Sequence, residues 1–158
     1  MKPYLILVFF AFMTLTACNR NVLFDSNESV NEKGWSMYEK IIFELDIKDT
    51  VSKYNFALNL RHTTDYQHPN IVFFITTIYP DHSVTQKDTI ECYLATPDGN
   101  WIGKGNGKIK DNRFWFARSV RFPQIGRYTF EIEQATRDTN LTGVSDIGLH
   151  IEKPNTTK

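Results

Sequence analysis

Through most of this chain, apolar residues fall on every second position. Ile41, Phe43, Leu45 and Ile47 alternate with Glu44 and Asp46, and Tyr54, Phe56, Leu58 and Leu60 alternate with Asn55, Ala57, Asn59 and Arg61. Successive side chains of a strand point to opposite faces, so this period predicts strands with one face on a core and one in water. Ile71 to Ile78 is an almost continuous run of apolar residues and threonines, which predicts a central strand covered on both faces. Further strands are expected over Thr89 to Ala95, Arg113 to Phe116, Ser119 to Phe122, Tyr128 to Ile132 and Ile147 to Ile151. Thr96-Pro97-Asp98-Gly99-Asn100 is a turn sequence leading to a strand near Trp101-Ile102. Gln134 to Asn140 reads as helical or irregular. About seven to nine short strands predict one all-β domain over 34–153, an antiparallel β-sandwich of jelly-roll or immunoglobulin-like type. Pro154 to Lys158 reads as a polar tail.

The start of the chain breaks the pattern. Lys2 precedes an apolar run from Tyr4 to Thr16 that is too short to span a bilayer comfortably and has signal-peptide length. Leu15-Thr16-Ala17 then meets Cys18. Small residues before a cysteine form a lipobox. Residues 1–17 therefore read as a lipoprotein signal peptide, with cleavage before Cys18 and acylation of its sulfur and amine by palmitate-type chains. An ordinary secretory signal with an incidental Cys18 is the alternative. Two or more acyl chains would make a lasting anchor. Residues 18–33 are mostly polar and read as a tether, although Val22-Leu23-Phe24 would alternatively pack on the domain as an edge segment. Cys18 is followed by Asn19, Arg20 and Asn21, with no acidic run. The expected location is the outer membrane, lipid-anchored and facing the periplasm.

Charge adds exclusions. Lys plus Arg and Asp plus Glu balance at 18 each. That argues against nucleic acid as the main partner and gives no polybasic membrane patch. Of the two cysteines, Cys92 has no partner once Cys18 is lipidated, and it alternates with Glu91 and Tyr93 as a buried core thiol would.

Candidate catalytic groups do not assemble in the sequence. Gly103-Lys104-Gly105-Asn106-Gly107-Lys108 lacks the strand-to-helix setting of a phosphate loop and reads as a hairpin connection. His62, Asp65 and His68 match no common zinc spacing and read as surface groups; no serine sits in a Gly-x-Ser-x-Gly elbow. No catalytic residue, metal or cofactor is expected. Phe122-Pro123-Gln124-Ile125-Gly126-Arg127-Tyr128 has the form of a sandwich tyrosine corner. Trp35, Trp101 and Trp115, with Arg118 and Arg121, are candidate interface residues, because aromatics and Arg dominate interface hot spots. Trp115 should point opposite to Phe114 and Phe116. A row of exposed aromatics would instead suit a glycan-binding module.

Taken in order, several segments resemble the gliding-motility lipoprotein GldH family of the Bacteroidetes. They are the lipobox with Cys18, Gly34-Trp35, Tyr54-Asn55 with Leu60-Arg61, Leu94-Ala95 and Gly99-Asn100-Trp101-Ile102-Gly103. They continue through Phe122-Pro123-x-x-Gly126-x-Tyr128-x-Phe130, Gln134-x-x-Arg137, Leu141-x-Gly143 and Asp146-x-Gly148-x-x-Ile151-Glu152-Lys153. Thr136 stands where a larger apolar residue is expected. The resemblance implies a non-enzymatic accessory lipoprotein of the gliding apparatus. Its implied partners are other motility lipoproteins and the type IX secretion system. Asp49-Thr50-Val51 and Asp88-Thr89-Ile90 also resemble the short O-glycan acceptor motif of exported proteins in that group, making Thr50 and Thr89 candidate modification sites.

Overall fold

The computed structural model describes residues 21–85 and 87–155. The signal segment 1–17, with Leu15, Thr16 and Ala17, and the lipidation candidate Cys18 lie outside the described residues. The strands are β1 (Val22–Ser29), β2 (Trp35–Ser36), β3 (Ile41–Ile47), β4 (Tyr54–Thr63), β5 (Asn70–Ile78), β6 (Asp88–Tyr93), β7 (Ile109–Val120), β8 (Gly126–Gln134), β9 (Asn140–Leu141) and β10 (Val144–Glu152). One sheet has the order β1-β10-β4-β7, the other β3-β8-β5-β6, and the short β2 and β9 pair with each other. All the pairings are antiparallel.

Set β2 and β9 aside and the strands pair as nested shells. The first long strand pairs with the last, β3 with β8, β4 with β7 and β5 with β6, alternating between the two sheets. This is the winding of a jelly roll, which decides between the two sandwich types expected.

Alternation produces the core. In β3 every second residue is buried, and Phe43 lies opposite Phe130 of β8. Leu58, Leu60, Ile147 and Leu149 supply the facing layer from β4 and β10. At the corner before β8, the Tyr128 hydroxyl donates to the Gln124 carbonyl at 3.1 Å and accepts from the Gln124 amide at 3.1 Å, so the tyrosine corner is present. Burial raises the pKa of that hydroxyl and keeps it a donor.

Two open alternatives are decided, for the N-terminal segment and for Gln134 to Asn140, and two expectations change. The segment read as tether contains β1: Val22, Phe24 and Ser26 turn inward, and Phe24 meets Phe43 edge-on at 6.1 Å. Three half-buried positions and a ladder to β10, irregular only between Val22 and Phe24, make it a sheet edge despite its polar composition. Gln134 to Asn140 contains no helix. The buried Gln134 side chain accepts from the Thr136 amide (2.9 Å) and donates to the Asp138 carbonyl (2.7 Å), bending the chain toward β9. Thr136 faces this polar anchor, so a small hydroxyl residue suits the position. β5 is not covered on both faces: Val72 and Phe74 are half-buried on the outer side, with the Lys87 ammonium 5.0 Å from the Phe74 ring. Trp101 forms a single bridge to Ala95 rather than a strand.

Candidate functional site

The outer face of the β1-β10-β4-β7 sheet is built in rows, because register places residues side by side across all four strands. Ser29, Asp146, Arg61 and Asp111 form one row; Asn27, Gly148, Asn59 and Arg113 the next; Asp25, His150, Ala57 and Trp115 a third. The first row pairs neighbouring side chains directly, and the second and third join side chains across a small residue, Gly148 or Ala57. Gly148 has no side chain, and a Cβ there would collide with the Asn27 side chain and sit 2.7 Å from the Ser26 carbonyl. Asn59 therefore reaches across β10 to donate to Asp25 at 3.1 Å and Asn27 at 3.3 Å. Arg113 donates to Asn59 at 2.7 Å and places its guanidinium 3.5 Å from Asp25. Arg61 pairs with Asp111 at 2.7 Å and Asp146 at 3.7 Å.

His150 is 2% exposed although it lies on this outer face. Its Nδ1 stands 3.0 Å from an Asp25 carboxylate oxygen and its Nε2 3.0 Å from Glu152. Trp115 covers it edge-on at 5.8 Å, and the Arg118 guanidinium lies 5.4 Å from the Trp115 ring. The small Ala57 beneath them leaves room for both rings. A cleft of about 600 Å3 adjoins this face, between Arg61, Asp111, Arg113 and Asp146 and the loop at Ile102–Lys104. A second cleft, about 490 Å3 and mostly apolar, runs between edge strands β6 and β7, lined by Phe56, Ile90, Phe116 and Phe122 among others.

The sequence candidates are scattered among these features. Trp115 points away from Phe114 and Phe116, which pack on the core, so the expected opposition holds. Trp115 and Arg118 meet on the outer face. Trp35 does not join them: it is fully buried, its ring 6.1 Å from Phe73 and its indole N–H donating to the Glu39 carbonyl at 3.0 Å. It is a core residue because β2 turns it inward. Trp101 packs at 4.8 Å on His62. Arg121 donates to the Val51 carbonyl at 3.0 Å, at one end of the sandwich. No aromatic row unites the three tryptophans.

Nor are all the histidines surface groups. His62 is fully buried, donates from Nδ1 to the Thr63 carbonyl at 2.9 Å, and has its pKa lowered by desolvation. His68 pairs with Asp138 at 2.6 Å. Asp65 is exposed. Among the described residues, no three His, Cys, Asp or Glu side chains gather as a metal site. Cys92 is buried and unpaired in a disulfide, and desolvation pushes its thiol up to about 12. The glycine loop is a hairpin connection bridged by Lys104 and Asp111, with Gly105 at φ +123°. A Cβ at Gly105 would come 2.7 Å from the Ile109 carbonyl. Thr50 is half-buried in the β3–β4 loop, and Thr89 is exposed on β6.

The Asp25–His150–Glu152 contacts and the Asn59 crossing escaped sequence reading. Their one trace is the polar or small residue at every second place in β1, β4 and β10. Which polar residues meet depends on a strand order that pairs the first strand with the last.

Fold and face together define a jelly-roll module with an ordered polar outer face. A family model described as GldH lipoprotein matches residues 22–151, and the chain belongs to that family. It is 32% identical over 151 residues to "Gliding motility lipoprotein GldH homolog" from Christiangramia forsetii, covering 91% of each chain. It is 32% identical over 150 residues to "Gliding motility lipoprotein GldH" from Flavobacterium johnsoniae, covering 90% of this chain and 92% of that one. Among solved structures, the infectious bursal disease virus VP2 subviral particle matches at TM-score 0.37 and 15% identity. That match covers 85% of this chain and 31% of the viral chain, so this chain spans about a third of it. The likeness is too slight to bear on function.

Proposed function

We propose that this protein is a non-enzymatic accessory component of a gliding motility apparatus, tethered by lipid at Cys18 to the periplasmic face of the outer membrane. It binds other envelope proteins, motility lipoproteins and type IX secretion components, through the outer face of the β1-β10-β4-β7 sheet. The carrying observation is that face: polar side chains held in rows, with Trp115 and Arg118 stacked beside them. Prepaired polar groups meet a partner with little further loss of side-chain freedom, and an aromatic flanked by Arg has the composition of an interface hot spot. The names of the two relatives supply the motility setting. His150 contacts two carboxylates, and the buried Cys92 lies on the other sheet, so neither is set beside a nucleophile partner.

Tethering strengthens such an interface. Confinement to one membrane raises the effective concentration of anchored partners, so a modest surface suffices for assembly. Co-purification of the tagged chain from its native envelope tests the reading. Trp115→Ala with Arg118→Glu is expected to weaken partner recovery by about tenfold or more, the loss of one hot spot. Unchanged recovery would remove this face from the function.

A further inference from the structure

The chain's own contacts identify which end of the sandwich carries the N-terminus. The Asn21 carbonyl accepts from the Lys153 amide at 2.7 Å. The Lys153 ammonium stands 3.4 Å from Asp49 in the β3–β4 loop, and Arg121 donates to the Val51 carbonyl in that loop at 3.0 Å. Gln124 donates to Asp81 of the β5–β6 loop at 3.0 Å. Three loops and both termini of the described fold therefore share one end.

That end is apolar at its tips. Val51 is 79% exposed and Ile125 65%, with Val84 and Val120 also exposed. Lys48, Lys53 and Arg121 are exposed around them. Two loop carboxylates are engaged by backbone amides: Asp49 accepts from the Val51 and Ser52 amides at 2.8 and 3.0 Å, and Asp81 from the Ser83 amide at 3.0 Å. The bases are left facing out. The opposite end carries both signs in its loops, Asp65, Asp98 and Asp138 with Lys33, Lys104, Lys108 and Arg137, along with the exposed Tyr38 and Ile102, so proximity to the N-terminus is what singles out the Asn21 end.

Tether length then restricts orientation. Cys18 precedes Asn21 by three positions, so even fully extended it stands no more than about 11 Å away. The opposite end lies a strand length off, about 30 Å for the ten residues of β4. We propose that the Asn21 end is a lipid-contact surface, with Val51 and Ile125 entering the headgroup layer and Lys48, Lys53 and Arg121 meeting acidic phospholipid phosphates. This rests on the reading of Cys18 as lipidated. Apolar tips ringed by cations match a headgroup layer, where side chains lay hydrocarbon inward and keep charge at the phosphates. The orientation leaves the β1-β10-β4-β7 face beside the membrane plane, open to other anchored proteins.

Single-cysteine labelling of the full mature protein tests this. Cys92 is buried, so an introduced cysteine is the accessible thiol. Val51→Cys, Ile125→Cys and, at the opposite end, Asp98→Cys are labelled with an environment-sensitive fluorophore and reconstituted in phosphatidylethanolamine–phosphatidylglycerol vesicles. Intact mass reads acylation and flotation reads attachment. The expected result is a blue-shifted, brighter emission at 51 and 125, quenched by spin-labelled lipid, with no change at 98. An acylated, floating protein whose probes at 51 and 125 stay as water-exposed as at 98 overturns the lipid-contact surface while leaving the anchor intact. A mature chain without acyl mass overturns the anchor and the orientation together.

Discussion

Trp35 gives its indole N–H to the Glu39 carbonyl and sets its ring on Phe73 inside the core, whereas Trp115 lies half-exposed across His150. The two predict opposite phenotypes. Trp35→Ala should cost about 3–5 kcal/mol of folding stability, the usual penalty for deleting a buried large aromatic, and chemical denaturation would read it. Trp115→Ala should leave the denaturation midpoint nearly in place and act on partner binding instead. At the corner, Tyr128→Phe removes a hydroxyl that bonds Gln124 twice and should cost about 1 kcal/mol, also read by denaturation. Residue type and period indicated that Trp115 and Phe114 oppose each other, and the corner motif was legible from Pro123, Gly126 and Tyr128. The burial of Trp35 was not, because two residues of strand are too short to show a period. His62 and His150 were hidden for a related reason: a polar residue at an outward or terminal strand position becomes buried only when neighbouring rings close over it.

At the scale of elements, β1 is the clearest case of pairing overriding composition. Asp25, Asn27, Glu28 and Ser29 have weak strand propensity, yet the ladder to β10 and the Phe24–Phe43 contact hold them in a sheet. Deleting 22–29 should therefore lower the denaturation midpoint and uncover β10 as an unpaired edge, visible as concentration-dependent association. A passive tether would be removable without either effect. The loops at the Asn21 end carry a pH dependence of defined sign. The Ser83 hydroxyl, then the Gln124 side chain and the Ser83 amide, hold the Asp81 carboxyl at about 2, below the ordinary 3.8. A carboxylate with a depressed folded pKa contributes stability that is complete above its unfolded value and is lost as pH falls through the folded one. The β5–β6 loop should thus loosen between about pH 4 and pH 2, and Asp81→Asn should flatten that dependence in amide-exchange measurements on Ser83 and Gln124. The Asx-type turn at Asp49 is acid-sensitive in the same sense, since Ser52 and Val51 hold its carboxyl well below the usual range.

For the whole molecule, strand type and the sandwich were readable from alternation, but the jelly-roll winding was not. Which strands pair is set by long-range closure of nested shells, and the pattern along one strand carries no information about its partner. The gathering of bases at the Asn21 end was hidden for the same reason. A chain with 18 positive and 18 negative residues is neutral in total, yet Lys48 and Lys53 of the β3–β4 loop meet Arg121 of the β7–β8 loop only when the fold brings those two loops to one end. The resulting picture is a domain standing close to its membrane, presenting a preordered polar face sideways. Site-specific photo-cross-linking of the tagged, full-length chain in its native cells tests that picture most directly, with a photoreactive residue in place of Trp115 and, as a control, of Thr129 on the other sheet. The account predicts that the probe at 115 captures motility lipoproteins or secretion components, that the probe at 129 does not, and that Cys18→Ala abolishes the capture. Capture from both faces alike, or from 129 alone, would contradict it.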